Sequence, residues 1–396
     1  MERTILTGAT LIDGTGAPPV TGRAVVVEDG RIAAVVGERE APAGTTLRLD
    51  GLTLLPGLIN CHVHLCFNGE ADPAATMLRE SYPMTVIRAV QRARINVEAG
   101  VTTVRDLGGR DYAELAVRDA IRQGLIPGPR TLVAGRGICI TGGHGWHMIG
   151  READGPDEVR KAVREQIKAG ADVIKLFATG GVMTPGVEPN AAQLTLDEVR
   201  AAIEEARKAG RRTAAHAQGT DGIANCVEAG TTTIEHGVFL TEALVARMAR
   251  QGTALVATLV APHAIVEGGV AAGIPEFAVK KSVAVRDRHF DSFRLALRAG
   301  VRIAAGTDAG TPLNPHGTIV PELALMVGAG MAPLDVIRAA TSEAAAVTGL
   351  AHETGRIAPG LAADLLAVEG NPADSIKALD AVRLVLAAGR CVVRRL

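Results

Sequence analysis

Six side chains able to bind metal stand near the carboxyl ends of strand-like segments: His62 and His64 in NCHVHL, Lys175 in ADVIKLFATGG, His216 in TAAHAQG, His236 in TTIEHG and Asp308 in AAGTDAG. Imidazole nitrogens and carboxylate oxygens hold zinc-like divalent ions at about 2.0–2.2 Å. His62 and His64 are two apart, so a strand points both to one side, about 6.6 Å apart along it. Lys175 sits inside the apolar run VIKLF. Burial there is costly for a cation and drives the amine towards its neutral form. A neutral amine captures carbon dioxide as a carbamate, whose two oxygens bridge a pair of ions. The ordinary alternative is a buried lysine paired with a carboxylate; the company of four histidines decides for the bridge. His216 and His236 lie twenty residues apart, one helix and one turn, which makes them equivalent positions on successive strands. Asp308 can both ligate metal and accept a proton; alone it would read as a helix N-cap.

Two ions about 3.5–4 Å apart lower the pKa of a water between them towards about 7. The expected chemistry is attack of that hydroxide on a carbonyl polarised by one ion. Asp308 takes the water's proton and returns it to the leaving nitrogen. His144, in the glycine-rich TGGHGW, is the expected donor to the developing oxyanion and completes the catalytic pair. His147, Arg136 and His263 join His144 as candidates for contacting the substrate, in particular a carboxylate; each of the three reads equally well as an ordinary surface residue. The cofactors expected are two divalent ions, zinc first, and the carbamate on Lys175.

Such a set needs a scaffold that brings many strand ends to one point. Between Leu54 and Thr348 the chain repeats strand, loop and helix. The strands are TLLPGLINCHVHL, GVTTVRDLG, RTLVAGRGICI, ADVIKLFATGG, RRTAAHAQG, TTTIEHG, TALVATLV and RIAAGTDAG, eight in all. Helices alternate with them: LDEVRAAIEEARKAG, with Thr195 and Glu198 as a capping box and Gly210 as a stop, TEALVARMARQG, and PLDVIRAATSEAAAV. This α/β pattern predicts a (β/α)8 barrel, whose chemistry lies at the carboxyl ends of its strands. A doubly wound open sheet would not bring strands one, four, five, six and eight together. A barrel takes about 250 residues, and the chain has 396. The remainder is β-rich and lies at both ends: TILTGATLIDG and GRAVVVEDGRIAAVVG, with a hairpin signal at Asp29-Gly30, then ADLLAVEG and VRLVLAAGRCVV. Residues 1–53 and 349–396 are expected to form a β-sandwich beside a barrel of residues 54–348.

Net charge is −1, which gives nucleic acid or anionic membrane no purchase. No run of 18 uncharged apolar residues predicts a membrane span. MERTILTGATLIDG lacks the basic region and apolar core of a secretory signal. Five scattered cysteines read as reduced thiols, with Cys61 and Cys66 as packing residues. A cytoplasmic enzyme with a small-molecule substrate is expected. A homo-oligomer is compatible with the sequence, although no stripe of residues marks an interface.

Together the motifs resemble the amidohydrolase superfamily, in particular its binuclear members with a carboxylated lysine. The likeness covers nearly the whole chain: PGLINCHVH at residues 56–64, GVTTVRD at 100–106, the lysine, the two later histidines, GTDAG at 306–310 and the carboxyl-terminal GRIAPGLAADLLAVEGNP. TGGHGW, GGVMTPGVEPNAAQLT and HGTIVPELALMVGAGM look like the branch containing Xaa-Pro dipeptidases, ochratoxin-type amidases and imidazolonepropionase-related proteins. Two features depart from that pattern. Asn60 stands where Asp is usual, and only Tyr82 and Tyr112 are present, so the tyrosine with which some dipeptidases hold the substrate carboxylate is missing. The resemblance implies a metal-dependent hydrolase of a small peptide-like amide, either an N-acyl amino acid or a dipeptide. The alternatives are a cyclic amide (lactam or imidazolone) hydrolase, a mononuclear deaminase without a bridging lysine, and a non-catalytic barrel. The last would be expected to have lost ligands that are all present here.

Overall fold

The computed structural model describes residues 3–317 and 319–396. Its centre is a barrel of parallel strands. β1 (Leu58–Val63) pairs with β2 (Val101–Asp106), and β2 with β3 (Arg130–Val133). The wall continues through β4 (Val173–Phe177), β5 (Arg212–Ala217), β6 (Thr233–His236) and β7 (Ala254–Val256), each paired in parallel with the next. RTLVAGRGICI, expected as one strand, is two. Gly135 takes φ 71, a conformation glycine adopts without strain, and the chain resumes at Gly137–Cys139 to meet β4.

Residues 302–310, expected as the eighth strand, form only isolated bridges. They close the barrel nonetheless. Leu255 N–H donates to the Arg302 carbonyl and Ala304 N–H to the Leu255 carbonyl on one side. On the other, Cys61 N–H donates to Ala305, Asp308 N–H to His62 and His64 N–H to Ala309. A Cβ on Gly306 would fall 2.5 Å from Val256 and 3.0 Å from the His62 nitrogen, so only glycine lets this seam draw tight.

TLLPGLINCHVHL also divides. Leu52–Pro56 pairs antiparallel with Leu365–Glu369, and the barrel begins at Leu58. The sandwich therefore runs through Pro56 rather than ending at residue 53. One of its sheets orders Arg31–Gly37, Arg23–Glu28, Arg3–Thr7 and Thr45–Arg48; the other orders Arg390–Arg394, Val382–Ala387, Leu365–Glu369, Leu52–Pro56 and Thr10–Leu11. Strand alternation serves two cores at once. Leu54, Leu365, Ala367 and Leu384 pack with Leu6, Val25 and Val27 of the first sheet. Their neighbours Leu55, Leu366, Val368 and Val385 join the barrel's core with Ala89, Ala93 and Val97.

The helix Leu196–Lys208 starts at the expected capping box, Thr195 N–H donating to Glu198 Oε2 at 2.8 Å, and stops before Gly210 at φ 66. PLDVIRAATSEAAAV, expected as one helix, breaks into Pro333–Ala339 and Ser342–Thr348. The carbonyls of Ala339 and Ala340 at the break accept from Ala305 and Ile59 N–H. The helix gives up its own bonds to hold the barrel seam. Among the described residues no helix is long and apolar enough to cross a membrane.

Candidate metal centre and active site

Parallel register accounts for most of the convergence. Lys175 lies beside Ala214, Phe177 beside His216, and His216 beside Glu235. One face of β4, β5 and β6 thus carries Lys175, His216 and Glu235 to a common side. Alternation would turn His236 away with its register partner Ala217. Instead His236 has φ 71, a left-handed backbone that brings its imidazole to the same cleft as His216. Asp308 (φ 61) and Thr258 (φ 56) share that conformation. Backbone strain concentrates where side chains must be placed.

His62 Nε2 and His64 Nε2 lie 3.3 and 3.2 Å from Asp308 Oδ1. Ligand atoms of these three residues fall within 4.8 Å of one another, close enough to share one ion. The His236 ring centroid is 5.2 Å from His62 and 4.6 Å from His216. Lys175 lines the same cleft. It is buried, and its Nζ makes no hydrogen bond among the described residues.

Each imidazole has one nitrogen committed to the protein. His62 Nδ1 meets Glu235 Oε2 at 2.9 Å, His64 Nδ1 the Gly108 carbonyl at 2.9 Å, His216 Nε2 the Gly180 carbonyl at 2.9 Å, and His236 Nδ1 Thr258 Oγ1 at 2.7 Å. A carbonyl only accepts, so His64 and His216 carry protons on those atoms and keep a lone pair on the other. The Thr258 hydroxyl donates to the Ala257 carbonyl at 2.5 Å, which makes it the acceptor for His236. Four rings held in the tautomer that ligation requires, beside a buried amine that makes no hydrogen bond among the described residues and lies 5.3 Å from the Phe177 ring centroid, fit a pair of divalent ions.

The electrostatics agree. Burial holds His62, His216 and His236 well below the ordinary imidazole range, in the neutral form that ligates. Burial also pushes Lys175 down to about 8, against the pull of Glu235 and Asp308. For Asp308, burial works upward, but His62, His64 and Lys175 together hold the carboxyl well below the usual carboxylate range. For His64, burial works downward, yet the hydrogen bond and charge of Asp308 raise it above the ordinary value. A divalent ion between that pair would take the proton's place.

Two supporting residues escaped the sequence. Glu235, 0% exposed, accepts from His62 and from Arg105 Nη2 at 2.8 Å. Arg105 Nε donates to the Cys61 carbonyl at 2.6 Å and its Nη1 to Thr233 Oγ1 at 3.1 Å. The signal was an arginine in one apolar strand, GVTTVRD, and a glutamate in another, TTTIEHG; buried opposite charges must find each other. Asn60 has a clear role as an amide: it donates to Thr307 Oγ1 at 2.8 Å and accepts from the N–H of Thr307 and His62, tying β1 to the closing segment. Cys61 and Cys66 are buried thiols raised by that burial, Cys61 to about 12, as packing residues should be.

His144 does reach the cleft, its ring 4.4 Å from His216. A Cβ on Gly181 would fall 2.5 Å from its Nε2, so glycine makes room for the ring. Arg136, His147 and His263, expected near a substrate carboxylate, do not line the cleft. Arg136 is bound to the Gly150 carbonyl. His147 stands beside Trp146, ring centroids 5.4 Å apart, and His263 packs edge-on to Phe290 at 6.5 Å.

A barrel that presents four imidazoles, a buried lysine and an aspartate at its strand ends defines a metal-dependent hydrolase. Residues 53–392 match the amidohydrolase family, and the chain belongs to that family. It is 33% identical to an ochratoxinase of Aspergillus niger, over 94% of this chain and 82% of that protein. It is 30% identical to an imidazolonepropionase of Salinispora arenicola, over 90% and 88%. The crystal structure of a Xaa-Pro dipeptidase with methionine bound in its active site superposes with a TM-score of 0.91 at 32% identity, over 98% of this chain and 99% of that one.

Proposed function

We propose that this chain is a cytoplasmic, binuclear zinc hydrolase that cleaves small peptide-like amides, N-acyl amino acids or dipeptides, with Lys175 carbamylated. The observation that carries the reading is the set of four imidazoles whose uncommitted nitrogens share one cleft with Asp308 and an unbonded Lys175. Similarity to an ochratoxinase and a Xaa-Pro dipeptidase supports an amide bond as the target. Similarity to an imidazolonepropionase supports a cyclic amide as the second reading.

His62, His64 and Asp308 would hold one ion, and His216 and His236 the other, with the Lys175 carbamate serving both. Ions so held lower the pKa of water towards about 7 and polarise a carbonyl oxygen. The remaining work belongs to the chain. Asp308, kept anionic, accepts the proton of the attacking water and passes it to the departing nitrogen, which would otherwise leave as a poor anion. Thr184 Oγ1 already accepts from Gly145 N–H at 3.0 Å. Its own proton is therefore free for His144 Nδ1, 2.9 Å away, which leaves the imidazole N–H on Nε2. Burial keeps His144 neutral, well below the ordinary imidazole range. That N–H is the donor available to the oxygen on which charge develops.

Metal analysis of enzyme prepared in bicarbonate, alongside a screen of N-acyl amino acids, dipeptides and lactams, tests the proposal. Two ions per chain at full activity are expected. One tightly held ion at full activity would overturn the binuclear reading and favour a deaminase. His144→Ala is expected to lower kcat about 10²- to 10³-fold with little change in KM.

A further inference from the structure

Away from the metal ligands, the cleft is walled by apolar groups, among them Phe67, Met148, Val182, Val238, Ile265 and Val285. Among the described residues lining it there is no arginine and no tyrosine, and the one lysine is Lys175. Lys281 is committed elsewhere, its Nζ donating to the carbonyls of Thr184 and Val187 at 2.8 and 2.5 Å. A substrate carboxylate would therefore find no cation in this wall.

Two polar side chains in the wall each keep one atom without a hydrogen-bond partner. Gln218, 6% exposed, leaves Oε1 unbonded, and His289, 1% exposed, leaves Nδ1 unbonded. His289 Nε2 lies 2.9 Å from the His236 carbonyl. That oxygen only accepts, so Nε2 carries the proton and Nδ1 presents a lone pair. Both unsatisfied atoms are acceptors. In an apolar wall an acceptor without a donor is costly, and a carboxylate brought against it is costlier still. Turning the Gln218 amide over would present an NH2 group and still no charge.

We propose that Gln218 and His289 form a subsite for an uncharged, N–H-bearing group on an otherwise apolar substrate, so that this enzyme hydrolyses neutral amides, such as N-acyl amino acid carboxamides, in preference to the corresponding free acids. The inference rests on the amide-hydrolase reading and moves the preferred substrate from the free acids to their carboxamides. Water adds across the scissile C–N bond: the acyl carbon gains the hydroxyl, and the nitrogen gains the proton and leaves as an amine. The carboxamide on the leaving part then supplies the N–H donors that the wall lacks.

The test is a matched pair, N-acetylphenylalaninamide against N-acetylphenylalanine, assayed for release of acetate. Binding of phenylalaninamide and of phenylalanine is measured in parallel by calorimetry. The amide is expected to lead by about 100-fold or more in kcat/KM, and its product to bind more tightly. Gln218→Leu, with thermal unfolding monitored, should raise KM for the amide more than it lowers kcat. Gln218→Arg should move the preference towards the acid. If the wild-type enzyme prefers the acid, or treats both alike, the subsite is wrong while amide hydrolysis stands. If neither compound is cleaved, the functional reading fails at this bond, and the binding pair decides the subsite alone: tighter phenylalaninamide supports it, and equal or tighter phenylalanine overturns it.

Discussion

The two halves of the metal cage are held by different forces. Around His62, His64 and Asp308 the support is ionic: Arg105 Nη2 reaches Glu235 at 2.8 Å, Glu235 reaches His62 at 2.9 Å, and Asp308 closes on both histidines. Around His216 and His236 it is neutral, a backbone carbonyl and a hydroxyl, while Lys175 has no hydrogen bond among the described residues. Buried ion pairs add little net stability, but losing one partner strands the other as an unpaired charge. The first half is therefore set before any ion arrives. In the proposed enzyme the second half waits on carbamylation of Lys175.

The harshest trial of that contrast is Lys175→Ala. Removing the bridge should lower activity by about 10³-fold or more, several kcal/mol of lost stabilisation, with partial recovery in a short carboxylic acid such as propionate. Undiminished activity would erase the distinction between the halves. Glu235→Gln comes next. It leaves Arg105 charged and buried and frees His62, so unfolding in denaturant should show a loss of about 3–5 kcal/mol. Thr258→Val strikes the neutral half. Metal affinity by competition with a chelator should fall about 10-fold, with less than about 1 kcal/mol of stability lost. Equal stability losses in these two variants would mean that the halves are supported alike.

A more gradual effect concerns pH. Glu322 accepts from Leu259 N–H at 3.0 Å and Val260 N–H at 2.7 Å, anchoring the segment that follows Thr258. Burial lifts its carboxyl from 4.5 to about 8. A group raised in the folded state favours folding while protonated. That contribution is full below about 4.5 and fades as pH climbs through 8. Thermal stability should accordingly decline over this window, and Glu322→Leu should flatten the slope. A slope unchanged in the variant would release Glu322 from this role.

All six candidate ligands were legible because each interrupts an apolar strand with a group that burial would not otherwise tolerate. The barrel was legible through the repeat of strand and helix. Glu235 was not, because alternation sends neighbours to opposite faces, and only the left-handed backbone at His236 lets both residues of that pair serve the site. Arg136, His147 and His263 were chosen by side-chain type alone, and loop direction then set them elsewhere. The split of PLDVIRAATSEAAAV was likewise invisible, since its cause is a bond to strands far away in the chain.

The broken helix that clasps the barrel seam has a consequence for assembly. Asp308 and the His62–His64 pair come from opposite ends of the wall and become neighbours only when residues 302–309 dock between β7 and β1. Until that late piece is captured from outside by the Ala339 carbonyl, a nascent chain can carry five of its six candidate metal-binding groups and still own no complete cage. Closing the ring and completing the candidate site for the first ion are a single event.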